Sequence, residues 1–475
     1  MSIVHPLTHG QEAQWFLHEL APQSGVYNTG IAVRVLSAVD VPALRQAVAG
    51  LGARHEMLRS RYAEADGRPV RVESPDGPLR LTEREHPGAA DEDFHTAVRS
   101  ALNAPFSLRE EVPFRIVLLT RGPEDAALVV AGHHISTDAV SNTLLLRDLL
   151  QIYRELTDGT PAALRPITAG YGDHVDKERR LLESGRGAAM KQYWSGVSLG
   201  STPAALPTDH TRPATQAFAG DTLRVTVAPE ATDAVRQFAA ALEVTPYAVL
   251  LGLFQSVLHR HTRQPDFAIG VPTTTRLSSR MRDVVGNFMN TVVMRSAFHP
   301  RSTFREAVLA ADEQLKLGME AARYPFSLLA RTAGTPRAAG RSPLYQITFN
   351  MLATAHLDAA LQPVLDTTRP EHVTRHAGLL LGPCHVPQQE GQLDLAVDVL
   401  QGADAMALDF RYDTHLYEPA TVLRLAQHFL RAIDVATGNP DSRIATARLW
   451  DPAEVRRPPG RGNGATRVNV TPAHV

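Results

Sequence analysis

The stretch LVVAGHHISTDAVSNTLLLRDLL, Leu128 to Leu150, closes an apolar run with two adjacent histidines, His133 and His134, and places Asp138 four residues after the second. A neutral histidine near its reference pKa of ~6.5 can take a proton from an attacking amine or hydroxyl, so these residue types suit acid/base work. An aspartate close by can ion-pair with an arginine and fix the geometry of the loop. A single histidine at a strand end is more often a hydrogen-bonded structural residue. Two of them at the end of an apolar strand cost free energy unless they are satisfied, which makes the pair more informative than one. Metal binding is the competing chemistry, since His134 and Asp138 share a face if the segment is helical. A third ligand is then needed, and no His-x-x-His or Cys-x-x-Cys element supplies it, so no metal is expected.

The elements that must position this stretch are legible from hydrophobic periodicity. FRIVLLTRG and AALVVAGHH read as neighbouring strands, and SNTLLLRDLLQIYREL as the helix that follows, with Ser141 as a cap-like start. Earlier, IAVRV alternates as a strand does. VDVPALRQAVAGLGARH carries apolar residues at helical spacing, with Asp40 as N-cap and Pro42 in the first turn. A helix is also expected at GRGAAMKQYWSGV. From about Gly196 to Thr226 the chain is rich in Pro, Thr, Ser and Gly without a period, which reads as an interdomain linker. Beyond it, TPYAVLLGLFQSVLHRHT predicts an apolar helix capped by Thr245 with Pro246 at its first position. The strands DFAIGVP, NTVVMRS, LYQITFNML, LDLAVDVL and MALDFRYD follow, then the helix PATVLRLAQHFLRAIDVAT. The Pro/Gly/Arg-rich tail, 451–475, is expected to be disordered.

Length and composition bound the answer. At 475 residues two domains are expected, and 44% hydrophobic with 21% charged residues describes an ordinary soluble globular chain. A formal net charge of −2 argues against a nucleic-acid partner. The single cysteine, Cys384, rules out a disulfide framework and a thiolate-rich zinc site. The N-terminus lacks a basic region followed by an apolar core, and no window reaches the ~18 apolar residues of a spanning helix. A cytoplasmic protein with no membrane partner is the reading.

HHISTDAVS resembles the HHxxxDGxS signature of the condensation domains of nonribosomal peptide synthetases, members of the chloramphenicol-acetyltransferase-like acyltransferase superfamily. The resemblance runs in order from about residue 5 to residue 450. LTHGQEAQWFL is similar to the opening S-x-x-Q-x-x-L/M-W helix, with Gln11 and Trp15 as its anchors. RHEMLRSRY resembles RHxxLRTxF, YGDHVDKER resembles Y-x-D-Y/F-A, and LPTDHTRPA resembles the interlobe LPTDRPRP. IGVPTTTRLSSRMRDVVGNFMNTVVMR, YPFSLL and RSPLYQITFNM have counterparts in the later motifs.

The resemblance implies an α/β fold, a V-shaped pseudodimer of two chloramphenicol-acetyltransferase-like lobes with a central tunnel. Residues 1–180 would form the N-terminal lobe carrying the motif and residues 181–450 the C-terminal lobe, with the linker inside it. It implies that His134 is catalytic, as a general base or as a group that positions the nucleophile and stabilises the tetrahedral intermediate. His133 would hold the loop by hydrogen bonding. Asp138 would be structural, paired with Arg276 first and Arg59 second. Asn350 would face the tunnel in a supporting role. Two positions depart from the pattern: Ala139 stands for the motif's glycine, so an added methyl narrows the channel or shifts the loop, and Ser327 stands for the usual glutamate.

The implied activity is transfer of an acyl or aminoacyl group from the phosphopantetheine thioester of a peptidyl or acyl carrier protein to an amine or hydroxyl, in natural-product biosynthesis. No cofactor is expected on the chain itself, because the phosphopantetheine belongs to the carrier. No adenylation or carrier motif follows, so a freestanding enzyme with a free small-molecule acceptor is expected, with a lean towards an ester product. The alternatives are a coenzyme A-dependent acyltransferase of the same superfamily and a non-catalytic recruitment module. The first would carry a late DFGWG element, where this chain has LDFRYD, and the second usually lacks the second histidine.

Overall fold

A computed structural model of the chain describes residues 2–74, 79–198, 200–332, 342–353, 359–402 and 404–450. The tail expected to be disordered lies outside these residues.

Two six-stranded sheets organise the described chain. The first runs, edge to edge, through Thr374–His376, Leu379–Cys384, Asn28–Val35, Asp125–His133, Phe114–Gly122 and Leu81–Glu85. The two strands read as neighbours from their sequence are antiparallel partners, with Phe114 opposite Gly132 and Val117 opposite Val129. Asp125–His133 is central and buried along almost its whole length, which is why it reads as an unbroken apolar run. The helices Val41–Arg54 and Ala139–Asp158 contribute to the core beneath this sheet through Leu44, Val48, Leu51, Leu145, Leu146 and Leu149. Asp40 caps the first of them, its carboxylate accepting the Ala43 N–H at 2.9 Å.

The second sheet runs through Met289–Ala297, Asp266–Thr274, Ile347–Ala353, Leu395–Gln401, Met406–Asp413 and Gly220–Val227. Its core includes the helix Pro246–Thr262, buried from Ala248 to Leu258 and capped by Thr245 as expected. A helix apolar on every face belongs in a protein interior. Among the described residues no single helix is long and apolar enough to cross a membrane.

Three expectations need correction. The span read as a period-less linker ends in the edge strand Gly220–Val227, which runs one residue past it and pairs antiparallel with Met406–Asp413. The division at residue 180 is not strict. Thr374–Cys384 crosses back and completes the first sheet beside Asn28–Val35, and Met281, Val284, Phe288, Leu361 and Val364 fill the first core. Finally, the helix after the histidines starts at Ala139, and its cap is Asp138, not Ser141.

Candidate active site

The loop His133–Asp138 leaves the central strand of the first sheet and turns directly into the helix Ala139–Asp158. Its six residues are all buried, so each polar group needs a partner. The partners come from motifs scattered over the sequence. Gln11 on the helix His9–Leu20 donates to the Ile135 carbonyl at 2.9 Å, and the Tyr62 hydroxyl reaches the same carbonyl at 3.1 Å and the Ser136 hydroxyl at 2.7 Å. The His134 N–H donates to the Tyr27 carbonyl at 2.8 Å, and the Thr137 hydroxyl donates to Asn142 at 2.8 Å.

The two histidines are locked in different tautomers. His134 Nδ1 lies 2.8 Å from the Thr137 carbonyl, which can only accept, so Nδ1 carries the proton and Nε2 keeps a lone pair. Among the described residues Nε2 has no partner, and it is open to the cavity that His134 lines. His133 is the reverse: its Nδ1 accepts the Ile135 N–H at 3.1 Å, and its ring packs edge-on against His18. Burial pulls both imidazoles below the ordinary histidine value, His133 furthest, so both are neutral at physiological pH. For His134 the charge of Asp138 and the Thr137 carbonyl oppose that shift.

Asp138 is the hub of the loop. One carboxylate oxygen accepts the Ser141 N–H at 2.7 Å and caps the helix; the other accepts the Phe288 N–H at 3.0 Å. Arg276 closes the ion pair at 3.2 Å, with both side chains less than a tenth exposed. The guanidinium also donates to Ser141 Oγ at 2.7 Å and to the Met281 carbonyl at 2.8 Å, and it lies 3.9 Å over the Phe288 ring. Ser141 Oγ in turn bridges the Gly286 backbone. Gly286 admits no side chain, because a Cβ there would lie 2.1 Å from the Tyr171 ring. Arg59, the second partner expected for Asp138, is elsewhere. It binds Glu73 at 2.9 Å and the Gly52 carbonyl at 2.8 Å, holding the turn before the strand Ser60–Ala65.

The neighbouring residues of the same motif anchor the site from behind. Asp148, on the helix that Asp138 caps, accepts from Arg54 at 2.7 Å, His55 at 3.0 Å and Arg147 at 2.8 Å. Burial alone would raise its carboxyl, but His55, Arg147 and Arg54 together hold it at about 2. Asn290 donates to the carbonyls of Ala322 and Tyr324 and accepts the Phe326 N–H, tying the second lobe's edge strand to the PFSLL turn. Ser327, in place of the usual glutamate, donates to the His9 carbonyl at 3.0 Å.

Both lobes line one cavity of about 890 Å³, within the range of ligand sites. The first contributes His134, Ala139 and the strand residues Thr29–Ala32, and the second contributes Thr291, Thr348 and Asn350. Ala139 opens its helix in the right-handed conformation, so glycine is not required there, and its methyl borders the cavity. Asn350 donates to Asp398 at 3.1 Å, and Asp398 pairs with Arg411 at 2.6 Å, so all three line the cavity as one network. Arg411 and His174 also line it but escape a sequence reading centred on the histidine motif. The sign of His174 in the sequence is its place where the related stretch has Tyr or Phe. Among the described residues no group of three or more His, Cys, Asp and Glu side chains could hold a metal ion.

The family model for the condensation domain matches residues 1–457, so the chain belongs to the condensation domain family. The chain is 29% identical over 459 residues to the phosphinothricin tripeptide synthetase PhsC of Streptomyces viridochromogenes, covering 95% of itself and 41% of that protein. It therefore spans less than half the length of this relative. The fold matches a crystal structure of the four-domain nonribosomal peptide synthetase AB3403 with a TM-score of 0.88 at 20% identity, covering 95% of this chain and 34% of that one. It also matches the X-domain from teicoplanin biosynthesis with a TM-score of 0.81 at 21% identity, covering 93% and 97%. These matches establish the pseudodimer of two acetyltransferase-like lobes.

The buried histidines set the acid limb of stability. His55, His133, His134 and His174 all have folded values depressed by burial, His174 to about 4. A depressed folded value means that the unfolded chain binds the extra protons. Their contribution is then complete above the unfolded value of ~6.5 and is lost as pH falls towards the folded ones. Thermal melts should therefore show Tm falling steadily from pH 6.5 to about 4. A Tm that stays flat across that window would contradict the burial assigned to these rings.

Proposed function

We propose that the chain is a catalytically competent condensation unit. It transfers an acyl or aminoacyl group from the phosphopantetheine thioester of a carrier protein to an amine or hydroxyl, with His134 as the catalytic residue. The observation that carries this is the tautomer of His134: Nδ1 is fixed on the Thr137 carbonyl, which leaves the Nε2 lone pair open to a cavity lined by both lobes. An acceptor N–H or O–H held against Nε2 can give up its proton as its nitrogen or oxygen attacks the thioester carbonyl. When the tetrahedral intermediate collapses, the C–S bond breaks. The departing thiolate then takes the proton back from His134, leaving a free thiol and an amide or ester. The same contact would position the nucleophile if the proton left by another route.

His133, Asp138 and Arg276 act in this reading through the loop, and Asn350 through the Asp398–Arg411 network. The phosphopantetheine arm is substrate, delivered by the carrier. An alcohol is the weaker nucleophile and gains more from a positioned base, which supports an ester over an amide product. The test uses a carrier protein loaded with an acyl group, the matching acyl-coenzyme A, and paired amine and alcohol acceptors, read by product mass. Product should form from the carrier thioester, faster than from coenzyme A, and with the alcohol. Equal use of acyl-coenzyme A would remove carrier dependence, and exclusive use of the amine would remove the ester preference. Tight binding of a carrier without any turnover would favour a recruitment module.

A further inference from the structure

We propose that His174 is a specificity-determining residue of the cavity, hydrogen-bonding a hydroxyl or amino group carried by a substrate beyond its reacting atoms; the inference rests on the condensation reading above. His174 sits on the helix Tyr171–Leu182 and lines the same cavity as His134. Its ring packs against Tyr171, with centroids 5.3 Å apart, and Phe288, with centroids 4.6 Å apart, and those two rings also meet each other at 5.2 Å. Phe288 is the residue whose N–H binds Asp138 and whose ring carries Arg276. The side chain is thus held against the framework of the histidine loop, in the cavity that His134 lines.

What this packing leaves free is the polar edge. Among the described residues neither ring nitrogen of His174 has a hydrogen-bond partner, and neither is sealed from solvent, so both remain available to whatever fills the cavity. His133, His134 and His55 differ in each having a protein partner on one ring nitrogen. A position that serves only to stack on Phe288 and Tyr171 would be filled better by Phe or Tyr, the residues of the related stretch, because their larger rings bury more apolar area. Burial, reinforced by the charges of Arg276 and Lys177, keeps the ring neutral, so it offers one N–H donor and one lone pair. Glu178 lies one turn further along the same helix, borders the same cavity and accepts the His9 N–H at 2.8 Å. Together they make this wall polar, in a cavity whose lining also includes Phe16, Leu17 and Leu20.

The experiment compares wild type with H174F and H174N by calorimetric binding. The probes for the carrier-bound partner are pantetheine amides, stable analogues of the thioester, of serine, threonine and tyrosine. Each is paired with its counterpart lacking the hydroxyl: alanine, 2-aminobutyrate and phenylalanine. The same six amino acids as methyl esters probe the free acceptor. Wild type should favour the hydroxyl-bearing member of at least one pair by at least about tenfold, since a site built to bond a hydroxyl rejects the analogue without it. H174F should lose that preference while binding the deoxy member as wild type does, and H174N should recover part of it. Thermal melts should show H174F at least as stable as wild type. No preference in wild type, an unchanged preference in H174F, or an equal loss for both members of each pair would overturn the assignment while leaving the condensation reading intact. Failure of wild type to bind any of the probes would likewise overturn the assignment, while the carrier-loaded assay above tests the condensation reading by itself.

Discussion

Replacing Asp138 with alanine is expected to destabilise the protein by about 3–5 kcal/mol, the scale for removing one partner of a buried ion pair. The deletion leaves the Arg276 guanidinium with its carbonyl partners but without a counter-charge, in a site where its side chain is 6% exposed. It also uncaps the helix Ala139–Asp158, typically worth about 1 kcal/mol, and strands the Phe288 N–H. The first core then loses one of its ties to the 276–288 segment, which packs into it through Met281, Val284, Val285 and Phe288. Activity should fall with stability, because the same carboxylate sets the start of the helix behind His134. D138N, which keeps an oxygen for the Ser141 N–H, should lose less. Denaturant melts of D138A and D138N against wild type measure this. A D138A midpoint equal to the wild-type one would refute the anchoring role of Asp138.

Replacing His134 with alanine should act on the chemistry alone: turnover roughly 10²-fold lower or less still, the usual scale of acid/base assistance, with stability close to wild type. The physical basis is the position of the ring. It is held by one hydrogen bond to the Thr137 carbonyl and otherwise borders the cavity, so its removal enlarges an existing solvent-accessible space rather than opening a void in the core. The loop keeps its other anchors, Gln11, Tyr62 and Asp138. The contrast between the two variants carries the assignment. D138A loses stability and activity together, and H134A loses activity with its fold intact. A folded H134A with near-wild-type turnover of a carrier-bound thioester would take the catalytic role away from His134.

The scattered motifs have one physical explanation in this fold. Gln11, Tyr62, Arg276 and Phe288 are far apart in sequence, yet each satisfies a polar group of the six buried residues His133–Asp138. A loop with that many buried polar groups survives only when every partner is present. Arg54, His55 and Arg147 do the same for the single buried carboxylate of Asp148 on the following helix.

Much of this was determined by the sequence alone. The central strand, its antiparallel neighbour and the helices capped by Asp40 and Thr245 follow from local periodicity and cap chemistry, which act over a few residues. The two histidines and Asp138 stand out because buried polar residues at the end of an apolar strand need a reason. The resemblance to the condensation domains offers Arg276 as the first partner of Asp138 and Arg59 as the second. Only the tertiary structure decided the rest. The strand Leu379–Cys384 joins the first sheet because its edge is open beside Asn28–Val35, a pairing across more than three hundred residues that no local pattern encodes. Arg59 turns to Glu73 because the strands Ser60–Ala65 and Arg68–Glu73 pair and bring that carboxylate to it. The cap is Asp138 rather than Ser141 because the aspartate accepts the Ser141 N–H, while the serine hydroxyl is engaged by the Gly286 backbone. His174 and Arg411 enter the cavity because two lobes close around it, and side chains brought together from different lobes carry no shared signal along the chain.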